Sequence, residues 1–204
     1  MTRLGISVEG ATEREFVNRL LRPHLQGFGW VQVVGVDMRG NISLDKISDE
    51  LPRLLGSFNH VSTLYDYYGF KRRDGLSAPA LEAAMAQRFD SARQARLTPY
   101  VQVHEFEALL FAAPAQTHDW LGGPAARLQA LRAAVAAAGS PEAVNDSPQT
   151  SPSHRLKALF PQFDKKLHGP EIISRAGLAA IRAQCPRFNA WVCRLEQLGQ
   201  KAAA

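Results

Sequence analysis

The sequence has few of the features that mark membrane, secreted or disulfide-rich proteins. Only two of its 204 residues are cysteine, and the spacing of Cys185 and Cys193 fits neither a zinc site nor a disulfide framework. No apolar stretch approaches the roughly 20 residues of a membrane-spanning helix, and the N-terminus lacks the basic-then-apolar pattern of a signal peptide. We therefore expect a cytoplasmic protein with no membrane partner, in which the cysteines serve packing.

The sequence also lacks the short motifs of several large enzyme classes. It has no Gly-x-x-x-x-Gly-Lys phosphate loop, no Gly-x-Gly-x-x-Gly dinucleotide fingerprint and no Gly-x-Ser-x-Gly nucleophile elbow. If ATP hydrolysis is coupled to the function of this chain, we expect a partner protein to carry it out.

Strand-like and helix-like segments alternate through the first half of the sequence. Short apolar or β-branched runs predict strands at residues 4–8, 30–36, 60–65 and 99–103. Between them, apolar residues at helical spacing predict helices, the first at residues 12–26 with Thr12 as its cap and Glu15 as the capping-box partner. Residues 80–92 and 108–112 are predicted as helices too. This alternation predicts an α/β fold with a mainly parallel sheet of about four strands flanked by helices.

Beyond Pro114 the sequence becomes helical and is often interrupted. An alanine-rich helix at residues 125–138 leads to a turn-rich connector at residues 139–153. Later helical segments are expected to break at Pro161, at residues 168–170 and at Pro186. Because such short segments cannot form a core of their own, we expect residues 1–113 to be the α/β core and residues 114–204 a helical appendage packed on it.

Positive charge is concentrated in the last quarter of the sequence. Residues 1–149 carry 15 Lys and Arg against 16 Asp and Glu, whereas residues 150–204 carry 9 against 3. Such a basic segment is typical of a protein that binds a polyanion, most often nucleic acid; the alternative is a solvated helical surface. The candidate phosphate contacts lie in this segment and in the loop after the third strand: Lys71, Arg72, Arg73, Arg155, Lys157, Lys165 and Lys166.

Acidic residues follow three of the four predicted strands. Glu9 and Asp66 end the first and third strands, and Glu105 and Glu107 follow the fourth. Because the carboxyl ends of parallel strands share one edge, where α/β sheets build ligand sites, these carboxylates are candidates for one Mg²⁺ or Mn²⁺ site. Such an ion can position a water for attack on a phosphodiester. The alternative for Glu9 is that it only caps the adjacent turn.

Two further features allow both a functional and a structural interpretation. His104 can orient a water, bind a metal or act as a general base, or it can be a satisfied capping residue at the strand–helix junction. Tyr67, Tyr68 and Phe70 can stack on bases, or they can be local core.

The pair Glu9-Gly10, followed by Asp66 at the end of a later strand, resembles the Toprim domain of topoisomerases, primases and nucleases of the overcoming-lysogenization-defect (OLD) type. In that family a glutamate after the first strand and an Asp-x-Asp after the third bind Mg²⁺. The sequence more closely resembles a bacterial Toprim-like family that is often encoded beside ABC-type ATPases. That likeness lies in residues 8–13, 65–70, 100–111 and 151–155, and in the signatures His168-Gly169-Pro170 and Cys185-Pro186.

The resemblance implies a Mg²⁺- or Mn²⁺-dependent nuclease that acts with an ABC-type ATPase in bacterial defence against phages or plasmids. Glu9 and Asp66 would hold the metal, and Glu105 or Glu107, with His104 beside them, would complete the catalytic site. Tyr68 stands where the Toprim pattern has its second aspartate, so one metal ligand of that pattern is missing. The alternatives are a non-catalytic module that binds nucleic acid or the ATPase, and a phosphotransfer or nucleotide-binding enzyme on the same sheet.

Overall fold

A five-stranded parallel sheet organises the computed structural model, which describes residues 2–145 and 150–203. The strands are β1 (Arg3–Val8), β2 (Gln32–Asp37), β3 (His60–Asp66), β4 (Leu97–Thr98) and β5 (Val101–Gln102). Their order is β2-β1-β3-β4, with β5 also on β3, and every pairing is parallel. The predicted fold class is confirmed.

The two central strands, β1 and β3, are more buried than the edge strand β2, as expected for parallel strands covered on both faces. Leu4, Ile6 and Val8 of β1 are fully buried, and β3 is buried along its whole length. Strand β2 lies at the edge of the sheet and is partly exposed. The carboxyl ends of β1 and β3 are therefore held in place by the best-packed part of the sheet.

The fourth strand, predicted at residues 99–103, is wrong in its bounds: the structure has two short strands, β4 before residues 99–100 and β5 after them. Pro99 interrupts the pairing because it has no N–H to donate to β3. The hydroxyl of Thr63 bridges the interruption. It donates to the Tyr100 carbonyl at 2.8 Å and accepts from the Tyr100 amide at 2.8 Å. The sheet then continues into β5, where Gln102 is the register partner of Asp66.

Helical segments connect the strands. Helix α1 (Ala11–Phe16), a π-helical segment (Val17–Leu21) and α2 (Arg22–Gln26) join β1 to β2, and α3 (Leu44–Ser57) joins β2 to β3. Residues 80–92 form two helices rather than one: α4 (Ala78–Gln87) and α5 (Ser91–Gln94). The physical reason is a second cap, because Asp90 accepts a hydrogen bond from the Arg93 amide and begins a new helix there.

The contacts within the chain divide it into two compact units. The first consists of Met1–Gln102 with Trp191–Ala204, and the second of Val103–Ala190. The C-terminal residues belong to the first unit because Trp191 stacks on Tyr100 at 4.7 Å and donates its indole N–H to Ser62 at 2.8 Å. The predicted boundary after residue 113 and the packing of the appendage stay predictions.

The second unit is helical. It contains a 3-10 helix (Phe106–Ala112), α6 (Pro114–Leu121), α7 (Ala125–Ala138), a short 3-10 helix (Pro141–Ala143), α8 (Pro152–Leu159), α9 (Lys165–Ala176), α10 (Leu178–Gln184) and the start of α11 (Pro186–Ala203). All seven residues of the first 3-10 helix are buried, and helices α7 to α10 contact it. This segment, predicted as an α-helix from residue 108, is the centre of the unit.

Two expectations for the C-terminal half need correction. The predicted break at residues 168–170 is wrong, since α9 runs through Pro170. Asp164 caps the start of α9, and the buried Ile172 and Ile173 anchor the turns after the proline. The predicted connector at residues 139–153 lies partly outside the described residues, and its last part is the start of α8. Within residues 2–145 and 150–203, no helix is both long and apolar enough to cross a membrane.

Candidate metal and nucleic-acid site

Each of the three neighbouring strands of the first unit delivers an acidic residue at its carboxyl end. Glu9 directly follows β1, while Asp37 and Asp66 are the last residues of β2 and β3. Val8 is paired in register with Leu64 on one side and with Asp37 on the other. Asp66 is only 6% exposed, and Glu9 is half-buried. The strand ends therefore place both predicted acids of this unit at the same edge of the sheet.

The turn after Glu9 is stabilised by a carboxylate that sequence reasoning missed. Helix α1 begins at Ala11 with Gly10 at its cap, and the Gly10 amide donates to Glu13 Oε2 at 3.0 Å. The side chain of Glu13 is buried. The expected cap at Thr12 with Glu15 as its partner is wrong, because the helix starts one residue earlier, at Ala11, with the cap on Gly10.

The side chain of Glu9 lies directly against the turn that follows Asp66. A Cβ atom added to Gly69 would stand 2.1 Å from Glu9 Oε2 and 2.5 Å from Oε1. Only a residue without a side chain allows this approach, because such distances are far inside van der Waals contact. The Glu9 carboxylate is thus packed on a backbone turn that begins immediately after Asp66.

Tyr65, the residue before Asp66, is a buried polar residue whose pKa is affected by Glu9. Its hydroxyl donates to Ser7 Oγ at 2.7 Å. Burial raises the pKa of Tyr65, and the negative charge of Glu9 raises it further, against the opposing effect of the Ser7 hydrogen bond. Tyr65 is therefore a neutral hydrogen-bond donor at any physiological pH.

Backbone hydrogen bonds join the three loops that follow β1, β2 and β3. The Gly40 amide donates to the Glu9 carbonyl at 2.8 Å, and the Lys71 amide donates to the Ile42 carbonyl at 2.7 Å. Four residues of the β2–α3 and β3–α4 loops that are not glycine have positive φ: Arg39, Asn41, Arg72 and Asp74. Such conformations carry a cost that the surrounding contacts must offset.

The three basic residues of the loop after β3 have different exposures and contacts. Lys71 is exposed. Arg72 is exposed and lies 3.5 Å from Asp45. Arg73 lies over the rings of Tyr67 and Tyr68 instead, with its guanidinium carbon 4.3 and 5.4 Å from the ring centroids. The loop therefore presents two exposed cations and one that is held by aromatic rings.

In the second unit, Glu105 supports a helix N-terminus. Its Oε2 accepts a hydrogen bond from the Ser153 amide in the first turn of α8 at 3.0 Å. His104 beside it has a φ of 67°, and desolvation lowers its pKa against the opposing effect of Glu105. A neutral imidazole at physiological pH fits either a metal ligand or a base, so the predicted role of His104 stays a prediction.

Glu107 is the most buried of the predicted acids, at 1% exposure. Lys165 Nζ lies 3.8 Å from its Oε1. That Glu105 or Glu107 supplies a ligand beside Glu9 and Asp66 also stays a prediction.

Two of the four predicted basic residues of α8 and α9 line a cavity of about 290 Å³ in the second unit. Lys157 and Lys165 contribute to its lining, and Lys157 Nζ donates to the Phe163 carbonyl at 2.9 Å. Arg155 instead donates to the Thr150 carbonyl at 2.8 Å, while Lys166 is exposed. The four residues that were grouped by charge thus occupy different environments.

Residues 8–196 match the profile of a domain of unknown function, DUF4276. The chain belongs to the DUF4276 family. Its structure is similar to the C-terminal region of the Burkholderia pseudomallei OLD protein, with 19% identity, a TM-score of 0.56 and 100% of both chains covered. It is also similar to the C-terminal region of the Xanthomonas campestris pv. campestris OLD protein, with 17% identity, a TM-score of 0.50, and 100% of this chain and 97% of that chain covered. No curated protein matches the sequence.

The carboxylates of this DUF4276 chain fit a divalent ion held partly by water. Among residues 2–145 and 150–203, no three His, Cys, Asp or Glu side chains form a group that could enclose a metal ion. Mg²⁺ does not require such an enclosure, because it keeps several waters and is often bound by one or two carboxylates together with substrate phosphates. Glu9, packed on Gly69, and the buried Asp66 are two carboxylates of this edge that offer oxygen ligands to such an ion.

Asp37 is the acid at this edge of the DUF4276 chain that sequence reasoning missed. The predicted second strand ended at Val36, one residue short of Asp37. Asp37 Oδ1 accepts a hydrogen bond from the Arg39 amide at 2.7 Å, and Arg14 lies 4.0 Å from its Oδ2. An acid directly after an apolar run was the signal that identified Glu9 and Asp66, and the same signal was present here.

Proposed function

We propose that this chain is a Toprim-like nuclease that hydrolyses phosphodiester bonds with Mg²⁺ or Mn²⁺. The observation that carries the proposal is the approach of Glu9 to Gly69, in the turn that follows Asp66. This approach brings the end of β1 against the loop that begins at the second predicted ligand. Because Gly69 has no side chain, it leaves room for the Glu9 carboxylate. Packing of the turn alone does not require a carboxylate at this position.

In this proposal Glu9 and Asp66 hold the ion, and Glu105 or Glu107 completes the site. The ion would supply a positioned, activated water and charge stabilisation at the leaving oxygen. The residues of the chain hold the two carboxylates in place: the Gly10–Glu13 hydrogen bond fixes the turn after Glu9, and pairing with Gln102 fixes the end of β3. His104, neutral at physiological pH, would accept a proton.

The fold shared with two OLD C-terminal regions supports the Toprim-like assignment. From the resemblance of the sequence to the bacterial Toprim-like family encoded beside ABC-type ATPases, we extend the proposal to nucleic acid as the substrate, an ABC-type ATPase as the partner and defence against phages or plasmids as the setting. The exposed Lys71 and Arg72 beside the Asp66 turn, and the basic residues of α8 and α9, would bind the phosphate backbone.

A second candidate function is a binding module without catalysis. Tyr68 favours it, because an aromatic residue replaces the second aspartate of the Toprim pattern. A site that has lost a ligand can keep its affinity for nucleic acid while losing the ion. The two candidates predict different outcomes for one experiment.

The test is cleavage of a supercoiled plasmid and of a single-stranded RNA with Mg²⁺ or Mn²⁺, with and without the ATPase partner. We expect weak activity of the chain alone and Mn²⁺-supported cleavage with the partner. Asp66→Asn should abolish cleavage, because the amide keeps the shape but loses the charge that binds the ion. Asp74→Asn makes the same change at an exposed loop position and should keep wild-type activity.

Two outcomes would contradict the nuclease proposal. Equal cleavage by the wild type and Asp66→Asn would place the activity elsewhere or in a contaminant. Silence under all conditions, with nucleic-acid binding retained, would leave the binding module as the function of the chain.

A further inference from the structure

In the loop after Asp66, the guanidinium of Arg73 is held by two tyrosine residues. Arg73 Nη1 donates to the Tyr67 carbonyl at 3.2 Å, and its guanidinium lies over the rings of Tyr67 and Tyr68. A planar, weakly hydrated guanidinium suits this position, because it can stack on an aromatic face while its edge keeps its hydrogen-bond donors.

Two hydrogen bonds anchor Tyr67, the ring nearer to Arg73. The hydroxyl of Tyr67 donates to the Leu76 carbonyl at 3.0 Å, and the Tyr67 amide donates to the Gln102 carbonyl of β5 at 3.0 Å. The rings of Tyr67 and Tyr68 are 5.8 Å apart and tilted by 52°. The hydrogen bond of Tyr67 to β5 therefore connects the position of Arg73 to the sheet.

Among the described residues, no carboxylate forms an ion pair with Arg73. Arg72 lies 3.5 Å from Asp45, whereas Arg73 takes part in no ion pair within the described residues. A guanidinium has five N–H donors, and the hydrogen bond to Tyr67 uses one of them. The remaining donors form the planar fork that binds phosphate oxygens in pairs.

We propose that Tyr67 and Tyr68 form a platform that presents Arg73 to a phosphate of a nucleic-acid strand beside the Glu9–Asp66 edge. Tyr68, which departs from the Toprim pattern, then has a function of its own: it holds a cation where that pattern has a second carboxylate. This inference rests on the proposed function only for the identity of the substrate, because binding needs neither the ion nor cleavage.

The test is binding of a fluorescein-labelled 20-nucleotide DNA strand in EDTA, measured by anisotropy over a series of NaCl concentrations. Arg73→Gln should weaken binding and reduce the slope of log affinity against log salt by about 0.7, the value for one phosphate contact on a single strand. Tyr68→Leu should have the same effect through loss of the platform. Tyr68→Phe keeps the ring and should retain the wild-type slope.

Arg93→Gln is the matched control, because Arg93 is an exposed arginine of α5, before β4 in the same unit. It should leave the slope unchanged. An unchanged slope in Arg73→Gln would overturn the proposal, as would equal losses in Tyr68→Phe and Tyr68→Leu. A reduced slope in Arg73→Gln without any cleavage by the wild type would uphold this site while contradicting the nuclease.

Discussion

Replacement of Gly69 by alanine tests whether the Glu9 carboxylate is positioned to bind an ion. The new methyl group would lie 2.1 Å from Glu9 Oε2, whereas non-bonded heavy atoms rest at roughly 3.5 Å. The carboxylate must therefore retreat by more than about 1 Å. Glu9 can do so by rotating its side chain, and Gly69 does not have a positive φ. We expect the free energy of unfolding without metal to stay within about 1 kcal/mol of the wild-type value.

Ion binding should respond much more strongly than stability. An ion present at 100 times its dissociation constant stabilises the native state by about 2.7 kcal/mol. If displacement of Glu9 weakens binding at least tenfold, about 1.4 kcal/mol of that stabilisation is lost. The measurement is urea unfolding of the wild type and Gly69→Ala, with and without Mn²⁺. In the cleavage assay, a displacement of this size should lower the rate by about 100-fold.

Gly56→Ala is the control, because a Cβ atom there meets nothing within 4 Å; its Mn²⁺ stabilisation should match the wild type. In a Glu9→Gln background, Gly69→Ala should cause no further loss, since the two changes act on the same carboxylate. Full Mn²⁺ stabilisation of Gly69→Ala would refute the assignment of Glu9 as a ligand.

The parts of this fold that follow local rules could be predicted from the sequence. The parallel sheet followed from alternating apolar runs and helical spacing, and the DUF4276 match and OLD-like fold agree with the resemblance found in the motifs. The sequence also predicted Glu9 and Asp66 at strand ends, because charge directly after a buried strand is a local pattern.

Element ends were less predictable, because single residues decide them through contacts that are distant in sequence. Pro99 divides the fourth strand, and the hydroxyl of Thr63, far earlier in the chain, bonds to Tyr100 across the interruption. Strand β2 extends one residue beyond its predicted end, because Asp37 pairs in register with Val8 of β1.

The contacts of the candidate site were the least predictable part. Nothing in the motif Asp66-Tyr67-Tyr68-Gly69 indicates that Gly69 faces the side chain of Glu9, 60 residues earlier in the sequence. The basic residues were equally misleading as a group, since charge alone does not show that Arg155 contacts a backbone carbonyl while Arg73 lies on two rings. Sequence patterns identify which groups are present, whereas tertiary packing decides which of them remain available to a ligand.

Two further predictions test the basic segment and the buried histidine of the sheet. Neutralising Arg155, Lys165 and Lys166 together should lower the salt slope of duplex-DNA binding by about 0.9 for each phosphate that the variant no longer binds; an unchanged slope in a titration would assign these residues to a protein partner. His60 is 6% exposed and binds Thr98 Oγ1 at 2.8 Å. Burial, with Arg194 and Arg96 nearby, lowers its pKa from 6.5 to about 4. The unfolded chain therefore binds a proton more readily than the folded one, and stability should fall as the pH decreases from about 6.5 to about 4, by at most roughly 3 kcal/mol. In urea unfolding at several pH values, His60→Gln should lose that part of the decline, since glutamine does not titrate; parallel pH curves for the two proteins would contradict the assignment.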